Sequence, residues 1–210
     1  MRTLYFNLLD PYCAKIRVIL RILNADITEI PITSFNHYSQ LNTIFSLPIM
    51  KIEDTIYSGV NQIIRYFNKD ILYSNLSNIE NWENWLDEHL YHKVYKLTIY
   101  EQYTKQIYEN NIHINSQLYY LGLHQLNKYL EFLNKYFQNK NWIHNQYTLN
   151  DLTLYVMLLS FHYFAYINWK LYPFLKNFFI RIKSRQELNF LIKDKIPCLN
   201  PSLDYTSLDF

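Results

Sequence analysis

Apolar and polar positions follow two different rhythms along this chain, and the change between them falls after its first third. Residues 3–9 read as a strand around Leu4, Tyr5 and Phe6, all good strand formers. From residue 11 to 24 the apolar side chains Ile16, Ile19, Leu20 and Leu23 recur at the i, i+3, i+4, i+7 spacing of an amphipathic helix. Ile27-Thr28-Glu29-Ile30-Pro31-Ile32 reads as a second strand, followed by a polar loop through Asn42. Leu47 to Ile52, the turn Glu53-Asp54 and Thr55 to Ser58 form a hairpin pattern. Ile63, Ile64 and Phe67 then start a helix, and residues 69–81 are polar and turn-prone, as in a linker.

Beyond residue 81 only helical spacing appears. Trp82, Trp85, Leu86, Leu90 and Val94 mark one helix, and Leu123, Leu126, Leu130, Leu133 and Phe137 mark another. Thr148-Leu149-Asn150-Asp151 has the pattern of a capping box, with the acid reaching back to the cap residue. A further helix runs from Pro173 towards Lys193, with Leu175, Phe178, Phe179 and Ile182 on its buried side. These patterns predict an α/β domain of thioredoxin-like order over residues 1–72, an all-helical domain over 80–195, and an extended tail over 196–210.

Composition narrows the functional classes. Half of the residues are hydrophobic, enough for a sizeable core, and the formal charge is only +2 with no basic face, so no nucleic acid is expected as a partner. Two cysteines make no disulfide framework and suit a reducing, cytoplasmic setting. The start, Met1-Arg2-Thr3-Leu4, lacks the pattern of a secretory signal. Leu152 to Trp169 carries no Asp, Glu, Lys or Arg, but Thr153, Ser160, His162 and Asn168 fit a helix buried within a bundle, so no membrane span is expected.

The chemistry concentrates at Asp10-Pro11-Tyr12-Cys13, where the first strand turns into the first helix. With Cys in place of Asp10 the tetrapeptide would be a glutaredoxin-type redox site. Asp followed by Pro is instead a favoured helix start, the carboxylate accepting from the amides of Tyr12 or Cys13. Cys13 is either a small buried residue or a thiol activated by the helix N-terminus. His89 and His92 lie three apart beside Asp87 and Glu88 with no third ligand in recognisable spacing, so a solvated helix face is expected there, without a metal.

The chain resembles the glutathione S-transferase superfamily over nearly its whole length. Cys13-Ala14-Lys15-Ile16-Arg17 matches the first helix of that superfamily, and Leu47-Pro48 stands where it has a cis-proline. Thr148 to Asp151 matches its helix-capping motif, and Trp142-Ile143-His144-Asn145 stands where members have Trp-Leu-Ala-Gly. The resemblance implies conjugation of glutathione to electrophiles, with Tyr5, Tyr12 or Cys13 as candidate thiolate donors and Leu47-Pro48 as a backbone clamp. It places the acid–Ser pair that would hold the γ-glutamyl group on Gly59-Val60, which carry no polar side chain. At the donor position Asp10 repels a thiolate; two like charges ~4 Å apart at an effective dielectric of ~20 cost roughly 4 kcal/mol. Loss of glutathione chemistry is therefore expected.

A narrower resemblance rests on Trp85-Leu86-Asp87-Glu88, Tyr91, Val94, Ile182-Lys183-Ser184-Arg185, Pro197, Pro201, Tyr205 and Leu208-Asp209-Phe210. These are similar to an alphaproteobacterial subgroup, the FzlA-like, FtsZ-localised division proteins. That resemblance implies a bacterial, non-catalytic adaptor binding FtsZ filaments or other division proteins, usually as a homodimer, with Tyr205, Leu208, Asp209 and Phe210 as candidate partner-binding residues. An unstructured tail of that length is uncommon without a role; it either presents its end to a partner or braces the body.

Overall fold

The computed structural model describes residues 2–41, 45–67 and 79–208. A four-stranded mixed sheet is built from β1 (Arg2–Phe6), β2 (Thr28–Pro31), β3 (Ile49–Ile52) and β4 (Thr55–Ser58), in the order β2-β1-β3-β4. β1 and β2 are parallel, joined by helix α1 (Pro11–Ile22), while β3 runs antiparallel to both its neighbours. Tyr5 at the end of β1 stands between Ile30 and Ile49, and the hairpin turns at Glu53 with φ 52°. The expected order β-α-β-β-β-α is present, closed by α3 (Gly59–Tyr66). Part of the expected polar loop is a short helix, α2 (Phe35–Ser39), because Ser34 Oγ accepts the His37 amide at 3.2 Å and caps it. The linker expected over residues 69–81 lies mostly outside the described residues, and its last three residues already belong to α4 (Ile79–Trp85).

α4 continues as a π-helix over Leu86–Thr104 and ends in α5 (Lys105–Glu109). A π-helix bonds i to i+5, so its buried stripe steps by four and five: Leu86, Leu90, Tyr95, Ile99, Thr104. Long runs of this kind are rare, and the helical spacing read through Val94 gave no hint of it. α6 (Ser116–Tyr136) lies close against the π-helix. At Gly122 a Cβ would stand 2.6 Å from Thr98 Cγ2 and 2.9 Å from Leu97 Cβ, so the approach needs glycine there.

The centre of the helical half is α7 (Leu149–Tyr163), buried along nearly its whole length. Its capping box forms as the sequence predicts: Asp151 Oδ2 accepts the Thr148 amide at 2.8 Å and the Thr148 hydroxyl at 2.9 Å, and Oδ1 accepts the Ile143 amide at 2.8 Å. Among the described residues no helix is long and apolar enough to cross a membrane. The expected helix from Pro173 to Lys193 is broken into α8 (Pro173–Lys183) and α9 (Asn189–Lys193), because Arg185 turns extended after Ser184 Oγ donates to the Arg181 carbonyl.

α1 ties the two halves together through two cations that lie almost wholly out of solvent. Lys15 Nζ stands 2.8 Å from Glu83 on α4, and Glu83 also accepts from Asn150 Nδ2 (2.9 Å) and Thr153 Oγ1 (2.8 Å) on α7. Arg17 meets Glu29 on β2 at 3.0 Å and grips both carboxylate oxygens of Asp194, with the Phe6 ring 4.2 Å and the Phe190 ring 5.0 Å from its guanidinium carbon.

The tail is a brace at Tyr205. Its ring is 5% exposed, 5.0 Å from Tyr163 and 5.8 Å from His162, which corrects the expectation that Tyr205 faces a partner. Ser202 fixes the approach, its amide donating to the Tyr163 carbonyl and its hydroxyl to the His162 carbonyl, both at 2.8 Å. Lys183 Nζ then donates to the Ser207 carbonyl. Leu208 is 44% exposed, while Asp209 and Phe210 lie outside the described residues. Left-handed backbone falls to Asn24, Glu53, Asn110, Ala165 and Cys198 as well as to Gly59.

Two predictions follow the packing of this end. Tyr205→Ala removes a core ring and costs about 3 kcal/mol, lowering the melting temperature by roughly 6–12 °C in a thermal scan; an unchanged melting temperature would mean the ring carries no packing. His162 accepts from Trp169 Nε1 at 3.0 Å through Nδ1, a bond its protonated form would lose. Burial, with Lys183 nearby, pushes it down from 6.5 to about 4. Between these values the unfolded chain takes up a proton that the native one refuses, so this residue's contribution to stability falls as pH drops from 6.5 to 4. Denaturant titrations across that window show a flatter pH dependence for His162→Gln.

Candidate functional site

β1 delivers the chain to a tight turn in which Asn7 Oδ1 accepts the Leu9 amide at 2.8 Å. Asp10 follows in extended conformation as the cap of α1, with Pro11 in the first turn. Its Oδ1 accepts the amides of Tyr12 (2.8 Å) and Cys13 (3.2 Å), as the sequence predicts. Its Oδ2 accepts the hydroxyl of Tyr91, on the π-helix, at 3.1 Å. Burial pushes this carboxyl above the usual carboxylate range, against the pull of the Cys13 amide, Lys96, the Tyr12 amide and Tyr91. The two amides that could receive an anion at this helix start are already taken.

None of the three candidate donors stands free. Tyr12 lines the cleft beside Asp10, but its hydroxyl donates to Asp87, and its ring centroid lies 4.5 Å from that of Tyr91. Burial and Asp87 raise its phenol far beyond the ordinary range, so it holds its proton. Cys13 is fully buried, its sulfur accepting the Asn7 amide at 3.3 Å, and burial with Asp10 beside it pushes the thiol well up. Tyr5 sits half-buried on β1 in a separate small cluster with Leu8, Tyr38 and Leu41, away from the cleft lining.

The cleft itself holds about 460 Å³ between the two halves. One wall is Leu47-Pro48 with the start of α3, and the Leu47-Pro48 peptide is cis. Among the described residues nothing bonds the Leu47 backbone, so its amide and carbonyl can pair with an extended ligand. The Gly59 amide donates to the Pro48 carbonyl at 2.9 Å with φ +75°, which glycine adopts freely. Val60 adds an apolar surface, and the Ser58 amide is taken by Gln62 Oε1 at 3.0 Å. The opposite wall is Glu83, Asp87 and Tyr91.

The charges of the cleft are engaged with one another. Lys15 pairs with Glu83, and Asp87 receives Tyr12 and lies 3.5 Å from His92 Nε2. An anionic tripeptide would meet two carboxylates and one lysine already held by its partner. The opposite wall was not recognised as part of a site from sequence, because Asp87 and Tyr91 lie 75 and 81 residues from the groups they meet. His89 stacks on Tyr129 instead of joining His92, and among the described residues no cluster of His, Cys, Asp and Glu could hold a metal ion.

Residues 4–70 match the family model described as glutathione S-transferase, N-terminal domain. The glutathione S-transferase fold extends over the entire chain: a glutathione S-transferase from Sinorhizobium meliloti 1021 superposes with a TM-score of 0.87 at 17% identity, covering 100% of both chains. FzlA from C. crescentus superposes at 0.83 with 19% identity, covering 100% of this chain and 99% of its own. A glutathione S-transferase from Rhodospirillum rubrum F11 gives 0.84 at 20% identity with both chains fully covered. No curated protein matches the sequence. Likenesses at this level of identity establish the fold.

Within that fold Asp10 acts as a cap, so Asp10→Ala leaves two amides and the Tyr91 hydroxyl without an acceptor. A loss of about 1–2 kcal/mol is expected in urea denaturation, with Asp10→Ser recovering part of it. Equal stability of the alanine variant and the parent would rule out the capping role.

Proposed function

We propose that this protein is a non-catalytic, FtsZ-binding adaptor of bacterial cell division, working in the cytoplasm as a homodimer built on the glutathione S-transferase fold. The observation that carries the reading is the Asp10 carboxylate, which fills the anion position at the start of α1 with its own oxygens. The absence of a polar side chain at Gly59-Val60 and the engaged hydroxyl of Tyr12 support it. The resemblance of the tail to the FzlA-like proteins, together with the fold likeness to FzlA, supports the choice of FtsZ as partner. Since Tyr205 is occupied in the core, the contact falls to Leu208 and the residues after it.

A second reading, a glutathione-dependent transferase, is favoured by the cis Leu47-Pro48 clamp and the open cleft beside it. Tyr12 would then have to leave Asp87 to serve a thiolate.

Co-sedimentation with polymerised FtsZ tests the first reading: the protein pellets with filaments, and removal of Leu208 to Phe210 reduces pelleting without moving the melting temperature. Pelleting no better than an inert control sinks it. For the second reading, millimolar glutathione leaves the melting temperature unchanged and a chloronitrobenzene substrate is not turned over; a shift of several degrees with turnover would establish the transferase instead.

A further inference from the structure

The cleft beside Asp10 holds about 460 Å³, by liquid volume roughly fifteen waters, which is room for a short peptide segment. Leu47 lies on its wall and is only 5% exposed, yet among the described residues neither its amide nor its carbonyl has a hydrogen-bond partner. Backbone groups of so buried a residue are almost always paired, so a donor and an acceptor on one residue lack their counterparts. One residue of an extended chain supplies both at once, as across the rungs of a sheet.

The same cleft carries an imbalance of charge. Lys15 is the one lysine or arginine on its lining, and that charge is spent on Glu83, 2.8 Å away. Asp87 on the opposite wall is not answered in the same way. Its side chain is 47% exposed, one oxygen accepts the Tyr12 hydroxyl, and the other lies 3.5 Å from His92 Nε2, which is about as exposed. A hydrogen bond from a neutral phenol leaves a carboxylate its charge, and a pair so open to solvent is screened by it. A negative wall thus stands across the cleft from an unmet backbone donor and acceptor.

We infer that this cleft binds an extended peptide segment bearing Lys or Arg, one residue pairing with the Leu47 backbone while the basic side chain reaches Asp87. The two contacts divide the work. The backbone pair fixes the direction of the chain and is indifferent to its sequence, as in other cases of strand addition. Asp87 supplies the selection, since it attracts a cation and repels a carboxylate at the same position. The ligand is therefore opposite in charge to glutathione. The inference shares with the proposed function only the anion position filled by Asp10, and it holds whether or not the tail meets FtsZ.

Calorimetric titration of the full chain with the peptide acetyl-Ala-Arg-Ala-amide tests the inference. Saturable binding is expected, roughly tenfold tighter than for acetyl-Ala-Glu-Ala-amide or for glutathione. Methylating the backbone nitrogens of the arginine peptide removes its donor to the Leu47 carbonyl and weakens binding to a similar extent. Asp87→Asn, which keeps an acceptor for the Tyr12 hydroxyl, brings the two peptides to about the same affinity. Asn84→Glu, at an exposed position on the same lining, tightens the arginine peptide about threefold. Equal affinity for the two peptides in the parent, a preference that survives Asp87→Asn, or no gain in Asn84→Glu overturns the inference. Glutathione binding more tightly than the arginine peptide overturns it as well and returns the cleft to the transferase reading, whereas pelleting with FtsZ is decided separately.

Discussion

Two buried cations on α1, Lys15 and Arg17, find counter-charges in the helical half, with Glu29 of β2 sharing Arg17, and the setting of α1 follows from that. A charge taken out of water is tolerated only where it is paired and hydrogen-bonded, and breaking such a pair leaves an uncompensated charge behind. Glu83 and Asp194 answer these two cations from positions far along the chain. The consequence is geometric. Rotating or sliding α1 would break one of these pairs, so they hold the helix that starts at Asp10 in its setting against α4 and α7.

That setting explains why the anion position is closed. With α1 fixed, Asp10 and Tyr12 face the π-helix, where Tyr91 and Asp87 meet them with complementary groups. The hydroxyls of Tyr12 and Tyr91 join one half of the molecule to the other. A site made of groups that are already bonded cannot receive a ligand's charge without first breaking the interface. The Leu47 backbone is exempt, since no bond across that interface consumes its groups.

The sheet, α1, the capping box and the all-helical second half were legible because each rests on neighbours close in sequence: alternation, a 3.6-residue period, a cap three residues from its acid. Asp10 was legible for the same reason. What stayed hidden depended on distance along the chain or on an unusual period. The Tyr12–Asp87 and Asp10–Tyr91 contacts join segments that local spacing cannot relate. The π-helix has a buried stripe whose steps of four and five look, over two turns, like an ordinary helix. The tail has no periodicity, so nothing local distinguished a peptide that ends in solvent from one whose Tyr205 is drawn into the core.

The left-handed residues bear on how this chain can change. It has two glycines: one serves a positive φ at Gly59, and the other a close helix contact at Gly122. Left-handed backbone elsewhere is carried by Asn24, Glu53, Asn110, Ala165 and Cys198, and side chains other than Gly are strained there, Asn least. A chain so poor in glycine keeps an untapped reserve of stability at those turns. Single substitutions to glycine at Glu53 or Ala165 would relax strain without touching the core, leaving room for costlier changes to accumulate elsewhere.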